Sequence, residues 1–245
     1  LNEPSEDSRA RSVAFSPIGR VLSPFDGKFG APRQPGLVPS AIGKIIFFSP
    51  WDHPDAFRGL EGFSHLWILF LAHQIPSDKE PSLTVRPPRL GGNARLGVFG
   101  TRSLFRPNPI GLSLVELRHI RVDNGRVSLE VSGLDLSNGT PVLDVKPYLP
   151  YVEAKPEARG GFADGPPAPV PVVLSPGAEA SLSSIEARQP AFRSLLLETL
   201  AIDPRPAYLE EAAGRVFAFE LQGIHIRFTT GPGGGLFVLD LTNES

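Results

Sequence analysis

The sequence predicts a mainly β protein: a mostly antiparallel barrel or sandwich over roughly the first 150 residues, then a small α+β unit. Three observations predict this. Proline (27) and glycine (25) make up about a fifth of the 245 residues, a density of breakers that few helices survive but short strands and ordered loops tolerate. Up to Tyr148, apolar runs of strand length recur between turn signals. Beyond a Pro- and Gly-rich stretch at 155–171, apolar residues take helical spacing.

The elements follow in order. Residues 1–12 are polar and charged and read as a disordered leader, with no apolar segment of the kind that forms a secretory signal. Ala14 to Leu22 reads as a first strand, Ser23 to Pro39 as a loop rich in Pro, Gly and Arg, and Ala41 to Phe48 as a second strand. Pro54 to Leu60 suits one or two helical turns. Phe63 to His73 is almost continuously apolar, as a strand buried on both faces would be. Pro76 to Gly97, with four prolines and three glycines, is expected to be irregular. Leu112 to Val122 and Arg126 to Leu134 flank Asn124-Gly125, a pair that favours tight hairpins, and Val142 to Tyr148 is a further strand. The expected division is a leader at 1–12, a barrel domain at 13–154, a linker at 155–171 and an α+β domain at 172–245. In the last, Ala178 to Arg188 and Ala191 to Ile202 are helices separated by Pro190. Arg215 to Leu221, Ile224 to Thr230 and Leu236 to Thr242 form a three-stranded meander.

Composition excludes several chemistries. The absence of cysteine excludes disulfides, thiol nucleophiles and Cys-ligated metals, and fits a reducing, cytoplasmic setting. The longest apolar run, Leu66 to Ala72, is far too short for a membrane-spanning helix. No GxxxxGK[ST] phosphate loop, Rossmann glycine fingerprint or HExxH motif occurs, and no metal is expected. Asp52-His53-Pro54-Asp55 reads as a surface turn. The net charge of −2 hides a basic tract: Arg86 to Arg121 holds seven arginines and one acid, Glu116. Arginine grips phosphates with a planar fork and stacks on bases, so this tract suits a polyanion.

Two segments concentrate polar groups. Gly97 to Ser113 packs Arg102, Arg106 and Asn108 beside hydroxyls, and Pro107 and Pro109 hold Asn108 extended. In Asp135 to Tyr148, alternation along a strand puts Asp144, Lys146 and Tyr148 on one face and Leu143, Val145 and Pro147 on the other. A carboxylate, an ammonium and a phenol on one stripe can share protons; an exposed ion pair beside a core face is the plainer reading. His73-Gln74, ending the apolar run, and Pro32-Arg33-Gln34-Pro35-Gly36 are further polar islands. Asp203-Pro204-Arg205-Pro206-Ala207-Tyr208 is another.

The strings PRQPGL, RGLEGFSHLWILFLAHQ, VRPPRLGGNARLGVFGTRSLFRPNPIGLSLVEL, DLSNGTPVLDVKPYLPY and DPRPAY resemble the TsaA-like family, also called TrmO, from about residue 15 to the C-terminus. The resemblance implies an N-terminal antiparallel β-barrel distinct from the Rossmann methyltransferases, a small α+β C-terminal domain and a homodimer. It implies transfer of a methyl group from S-adenosylmethionine to the exocyclic nitrogen of threonylcarbamoyladenosine beside the anticodon of threonine tRNA. It also implies a cofactor set of Arg33, Gln34, Pro35, His73, Gln74, Arg102, Leu112, Asn138, Gly139, Thr140 and Pro141. Relatives can carry Asp at the position of Asn138, which keeps an acceptor but loses the charge. Asp144, Lys146, Tyr148 and Asn108, together with Arg102, are the candidates for orienting the carbamoyl group or moving the proton. Arg86, Arg89, Arg95 and Arg106 form a candidate phosphate track, and Arg205 and Tyr208 are expected to grip RNA or close the site. The competing readings are an RNA-binding barrel without catalysis and a methyltransferase of the same fold with another acceptor. A metal-dependent hydrolase at His53, His65 and Asp55 is a distant third.

Overall fold

A computed structural model gives the fold; it describes residues 13–27, 29–75, 80–87, 94–205 and 214–243, so the expected leader lies outside the described residues. The barrel strands are β1 (Gly19–Leu22), β2 (Gly43–Phe47), β3 (His65–Leu71), β6 (Ile110–Asp123), β7 (Arg126–Ser132) and β8 (Pro141–Pro147). They close in the order β1-β2-β7-β6-β3-β8, every pair antiparallel. Closure sends alternate side chains inward, and Val21, Ile45, Leu66, Ile68, Val115, Leu129 and Val142 fill the interior. Gly111 faces the Phe70 ring so closely that a Cβ would collide with it, which lets β3 and β6 approach where the barrel tightens. Asn124 and Gly125 both have positive φ, 51° and 76°, as the two-residue hairpin between β6 and β7 requires.

Several expectations change. The first strand begins at Gly19 rather than Ala14; Pro17 has no amide to donate to a ladder. β3 is not buried on both faces: Leu66, Ile68 and Phe70 point into the core, while His65, Trp67, Leu69 and Leu71 form a half-buried outer row. An antiparallel barrel has one outer face, and an apolar outer row makes the sequence look doubly buried. The stretch expected to be irregular contains a short pairing of β4 (Thr84–Val85) with β5 (Leu96–Gly97). In β8 a bulge falls at Leu143, so Val142 and Val145 supply the core contacts.

After a single helical turn, α1 (Pro150–Glu153), the chain enters the second unit. Here β9 (Val172–Leu174), α2 (Pro176–Glu186), α3 (Phe192–Ala201), β10 (Phe217–Leu221), β11 (Ile224–Thr230) and β12 (Leu236–Asn243) follow. The sheet has four strands, not three, in the order β10-β11-β12-β9, because Val172 to Leu174 adds parallel to β12. Three residues after a Pro-rich stretch carry too little periodicity to be read as a strand. Ser175 caps α2, its hydroxyl accepting from the Ala178 amide at 3.0 Å. Leu182, Ile185, Leu195, Leu196 and Leu200 bury the inner faces of α2 and α3, in one apolar cluster continuous with the barrel interior. Among the described residues no helix is long and apolar enough to cross a membrane.

Candidate active site

Antiparallel connectivity decides which candidate residues meet. β1, β3 and β7 run toward one mouth of the barrel, and β2, β8 and β6 leave it. The β1–β2, β3–β6 and β7–β8 connections therefore emerge together. The first carries Arg33, Gln34 and Pro35; the second His73, Gln74, Arg102 and Asn108; the third Asn138, Gly139 and Thr140. Pro141 and Leu112 stand at or near the start of strands leaving the same mouth. Segments more than a hundred residues apart in sequence thus share one rim.

Hydrogen bonds fasten the rim. Arg102 Nη1 donates to Gln34 Oε1 at 2.7 Å, and Gln34 Nε2 donates to the Arg33 carbonyl at 2.6 Å. The Asn138 amide donates to the Phe25 carbonyl at 2.7 Å, and its Oδ1 accepts from the Ser23 amide at 3.2 Å. An Asn here keeps that acceptor without the charge an Asp would bring. Gly139, at φ 78°, donates to the Val21 carbonyl at 2.8 Å, and Thr140 Oγ1 to the Ser137 carbonyl at 2.7 Å. The Ala72 amide donates to the Pro109 carbonyl at 2.8 Å, bringing His73-Gln74 alongside Asn108.

The sequence reading missed Asp135. It follows β7 between the buried Leu134 and Leu136, and its Oδ1 accepts from Ser113 Oγ at 2.6 Å. Burial pushes its carboxyl up to about 6, against the pull of the Ser113 hydroxyl and the nearby Arg102 guanidinium. The signal was present: an acid between two leucines at the end of a strand needs a partner. Beside the rim a cleft of about 330 Å³ opens on the barrel's flank, lined by Pro35, Gly36, Pro39, His65, Leu114, Glu116, Ser132 and Gly133. Glu116 there is held below the usual carboxylate range, first by the Ser132 hydroxyl donating at 2.9 Å.

The β8 stripe is only partly assembled. Lys146 Nζ and Asp144 Oδ2 are 2.8 Å apart on the outer surface, and the carboxylate holds the ammonium's pKa above its usual value. Asp144 lies opposite Leu69 and Lys146 opposite Trp67. Tyr148 lies further on, four residues and roughly 13 Å of extended chain from Asp144. It packs edge-on against His65 and Trp67, with ring centroids at 6.3 and 6.0 Å.

The RNA candidates divide. Arg86 and Arg95 are exposed, Arg95 Nη1 donating to Thr84 Oγ1 at 3.2 Å. Arg106 is half-buried over the ring of Phe99, 5.8 Å from its centroid, and Phe99 is 78% exposed. Such an exposed ring beside arginines suits base stacking, and sequence reading did not single it out. Arg89 and Tyr208 lie outside the described residues. Arg205, expected to grip RNA or close the site, is 4% exposed with its guanidinium turned inward, which leaves no free fork for a phosphate. His53 and Asp55 sit on an exposed turn where Asp55 pairs with Arg58 at 2.6 Å, and His65 belongs to the aromatic group on β3.

Comparison with known proteins gives the family of both parts of the chain. Residues 20–154 match the tRNA-methyltransferase O N-terminal domain, and residues 167–244 match the TrmO C-terminal domain. The tRNA (adenine(37)-N6)-methyltransferase of Escherichia coli (strain K12) is 48% identical over 233 residues, 94% of this chain and 98% of that protein. The putative S-adenosylmethionine-dependent methyltransferase RcsF of Pseudomonas aeruginosa is 47% identical over 217 residues, 88% of this chain and 91% of its own. A crystal structure of TrmO from Pseudomonas aeruginosa superposes with a TM-score of 0.78 at 36% identity, covering 95% of this chain and 99% of that one.

Proposed function

The chain belongs to the TrmO family, and on that premise we propose that it methylates N6 of adenine 37 in tRNA with S-adenosylmethionine. The acceptor on this reading is threonylcarbamoyladenosine in threonine tRNA. The observation that carries it is the single rim formed by Arg33-Gln34, Arg102 and Asn138–Pro141, tied by the Arg102–Gln34 bond.

The residues present fit the cofactor. Two guanidinium groups suit its carboxylate, the Asp135 carboxylate suits its positive centres, and Asn138, Gly139 and Thr140 offer amide groups to its polar edges. When bound, S-adenosylmethionine supplies a methyl group already activated on a sulfonium. The protein's task is then proximity and orientation. Arg33, Gln34, Pro35, Arg102, His73, Gln74 and Leu112 hold and orient the cofactor, with the 138–141 turn closing one side. The acceptor nitrogen lies between an aromatic ring and a carbonyl, so it is a weak nucleophile helped by loss of its proton. Lys146, kept protonated by Asp144, donates to the carbamoyl oxygen, and Asp144 takes up the N6 proton. Asn108 orients the carbamoyl group from the rim, and Tyr148 extends the aromatic wall. Arg86, Arg95 and Arg106 meet phosphates, with Phe99 beneath a base.

The enzyme works as a homodimer in the cytoplasm, where tRNA is modified. Sedimentation velocity tests the dimer; a monomer at micromolar concentration would refute it. The activity itself is tested by nucleoside mass spectrometry. Threonylcarbamoylated tRNA incubated with protein and S-adenosylmethionine should gain the mass of one methylene on that nucleoside. Cofactor binding with no such gain would move the assignment to another acceptor.

A further inference from the structure

The β1–β2 loop, which carries Arg33 and Gln34, is laid across the C-terminal unit and fastened along its length. Near its start Phe25 bridges to Leu221, and the Gln222 amide donates to the Pro24 carbonyl at 2.9 Å. Phe29 then packs among Phe217, Phe219 and Phe228, with ring centroids at 6.5, 6.1 and 6.4 Å. Gly30, at φ 96°, lies so close to the Phe219 ring that no side chain would fit. At the loop's far end Ser40 donates to Glu198 Oε2 of α3 through both its amide (3.0 Å) and its hydroxyl (2.6 Å). Between these anchors, Arg33 Nη2 donates to the main-chain carbonyl of Arg205 at 2.9 Å.

That carbonyl is an unusually fixed acceptor. The Arg205 guanidinium meets Asp203 two-pronged, Nε and Nη2 each at 2.8 Å, and reaches Thr230 Oγ1 at 2.8 Å and the Gly234 carbonyl at 3.3 Å. Asp203 sits in the left-handed region, at φ 51°, just beyond α3. A buried guanidinium is tolerated only when its donors are matched, so this turn has little freedom to shift.

We propose that Arg205, with Asp203, is a positioning residue for the cofactor loop. Its side chain locks the turn whose carbonyl orients Arg33, so the C-terminal unit acts on methyl transfer through cofactor binding rather than through a grip on RNA. The inference rests on the reading of Arg33 and Gln34 as cofactor residues. An exposed arginine tethered at one nitrogen presents its fork in one direction, and releasing the tether leaves the loop's composition intact but its geometry loose.

The test uses the full chain, with S-adenosylmethionine affinity by calorimetry and tRNA affinity by filter binding. Arg205→Lys should weaken cofactor binding about tenfold, the scale of one lost charge-assisted hydrogen bond, and change tRNA affinity by less than about twofold. KM for the cofactor should rise while KM for tRNA stays. Combined with Arg33→Lys, it should add nothing to the loss from Arg33→Lys alone, since both break one tether. If Arg205→Lys fails to fold by circular dichroism, Thr230→Val, which removes one acceptor of the Arg205 guanidinium, carries the same expectation in smaller measure. Lost tRNA affinity with intact cofactor binding, or additive losses in the double variant, would overturn the inference while leaving the loop reading in place. If Arg33→Lys alone leaves cofactor affinity unchanged, the loop reading fails and the inference falls with it.

Discussion

The rim of the barrel and the outer stripe of β8 both looked like sites in the sequence, and they are built differently. At the rim, residues from three distant connections converge because antiparallel strands return their loops to the same end. Along β8, residues spaced by two share a face but move apart by roughly 6.6 Å at each step. Alternation guarantees a common face and nothing about proximity. Asp144 and Lys146 are neighbours, while Tyr148 joins another cluster. The rim therefore suits a compact ligand, and the stripe a substrate that lies across a surface.

The largest expected effect breaks the rim. Arg102→Ala removes the partner of Gln34 and a candidate cofactor contact, and should lower kcat/KM about a hundredfold, mostly through KM for the cofactor. An unchanged KM would separate Arg102 from the cofactor. The stripe should respond in the other parameter: Asp144→Asn or Lys146→Ala lowers kcat about tenfold and leaves cofactor affinity alone. Full turnover in both variants would reduce the pair to an exposed salt bridge.

Asp135 sharpens the contrast through pH. Its carboxyl is raised from 3.8 to about 6, so the fold disfavours the ionised form. The resulting destabilisation is absent below about pH 4, grows as pH rises toward 6 and is constant above it. Asp135→Asn should raise stability at pH 7–8 by up to roughly 3 kcal/mol, with little change near pH 4, as chemical denaturation would show. The same variant should remove a limb near pH 6 from the cofactor-affinity profile. Further from the rim, Arg86→Ala with Arg95→Ala should flatten the log–log salt dependence of tRNA binding by roughly 0.7 for each phosphate no longer neutralised. Tyr148→Phe should be smallest, within about twofold of wild-type turnover; a larger loss would return Tyr148 to the chemistry.

Much of the fold was legible because turn residues mark it. Asn124-Gly125 fixes a hairpin, and Pro190 and the Asp203-Pro204 stop bound the helices. Two kinds of feature were not. β9 is three residues long and owes its existence to β12, a tertiary partner that no local pattern announces. Asp135 and Arg205 derive their properties from burial: the same acid and base on a surface turn would be ordinary. The polar rim segments could be picked out as dense strings, and the family resemblance put Gln34 and Arg102 in one set, but the bond between them comes from the barrel's connectivity.

The bridge from Phe25 to Leu221 has one more consequence. A closed barrel has no open edge, whereas the four-stranded sheet has two, and β10 is one of them. A bare edge strand invites pairing with a stranger. By crossing to Leu221, the β1–β2 loop blunts the end of that edge, so separating the two halves would deprive the loop of its bed and uncover an adhesive border at once. Expressed alone, the C-terminal half should self-associate through β10.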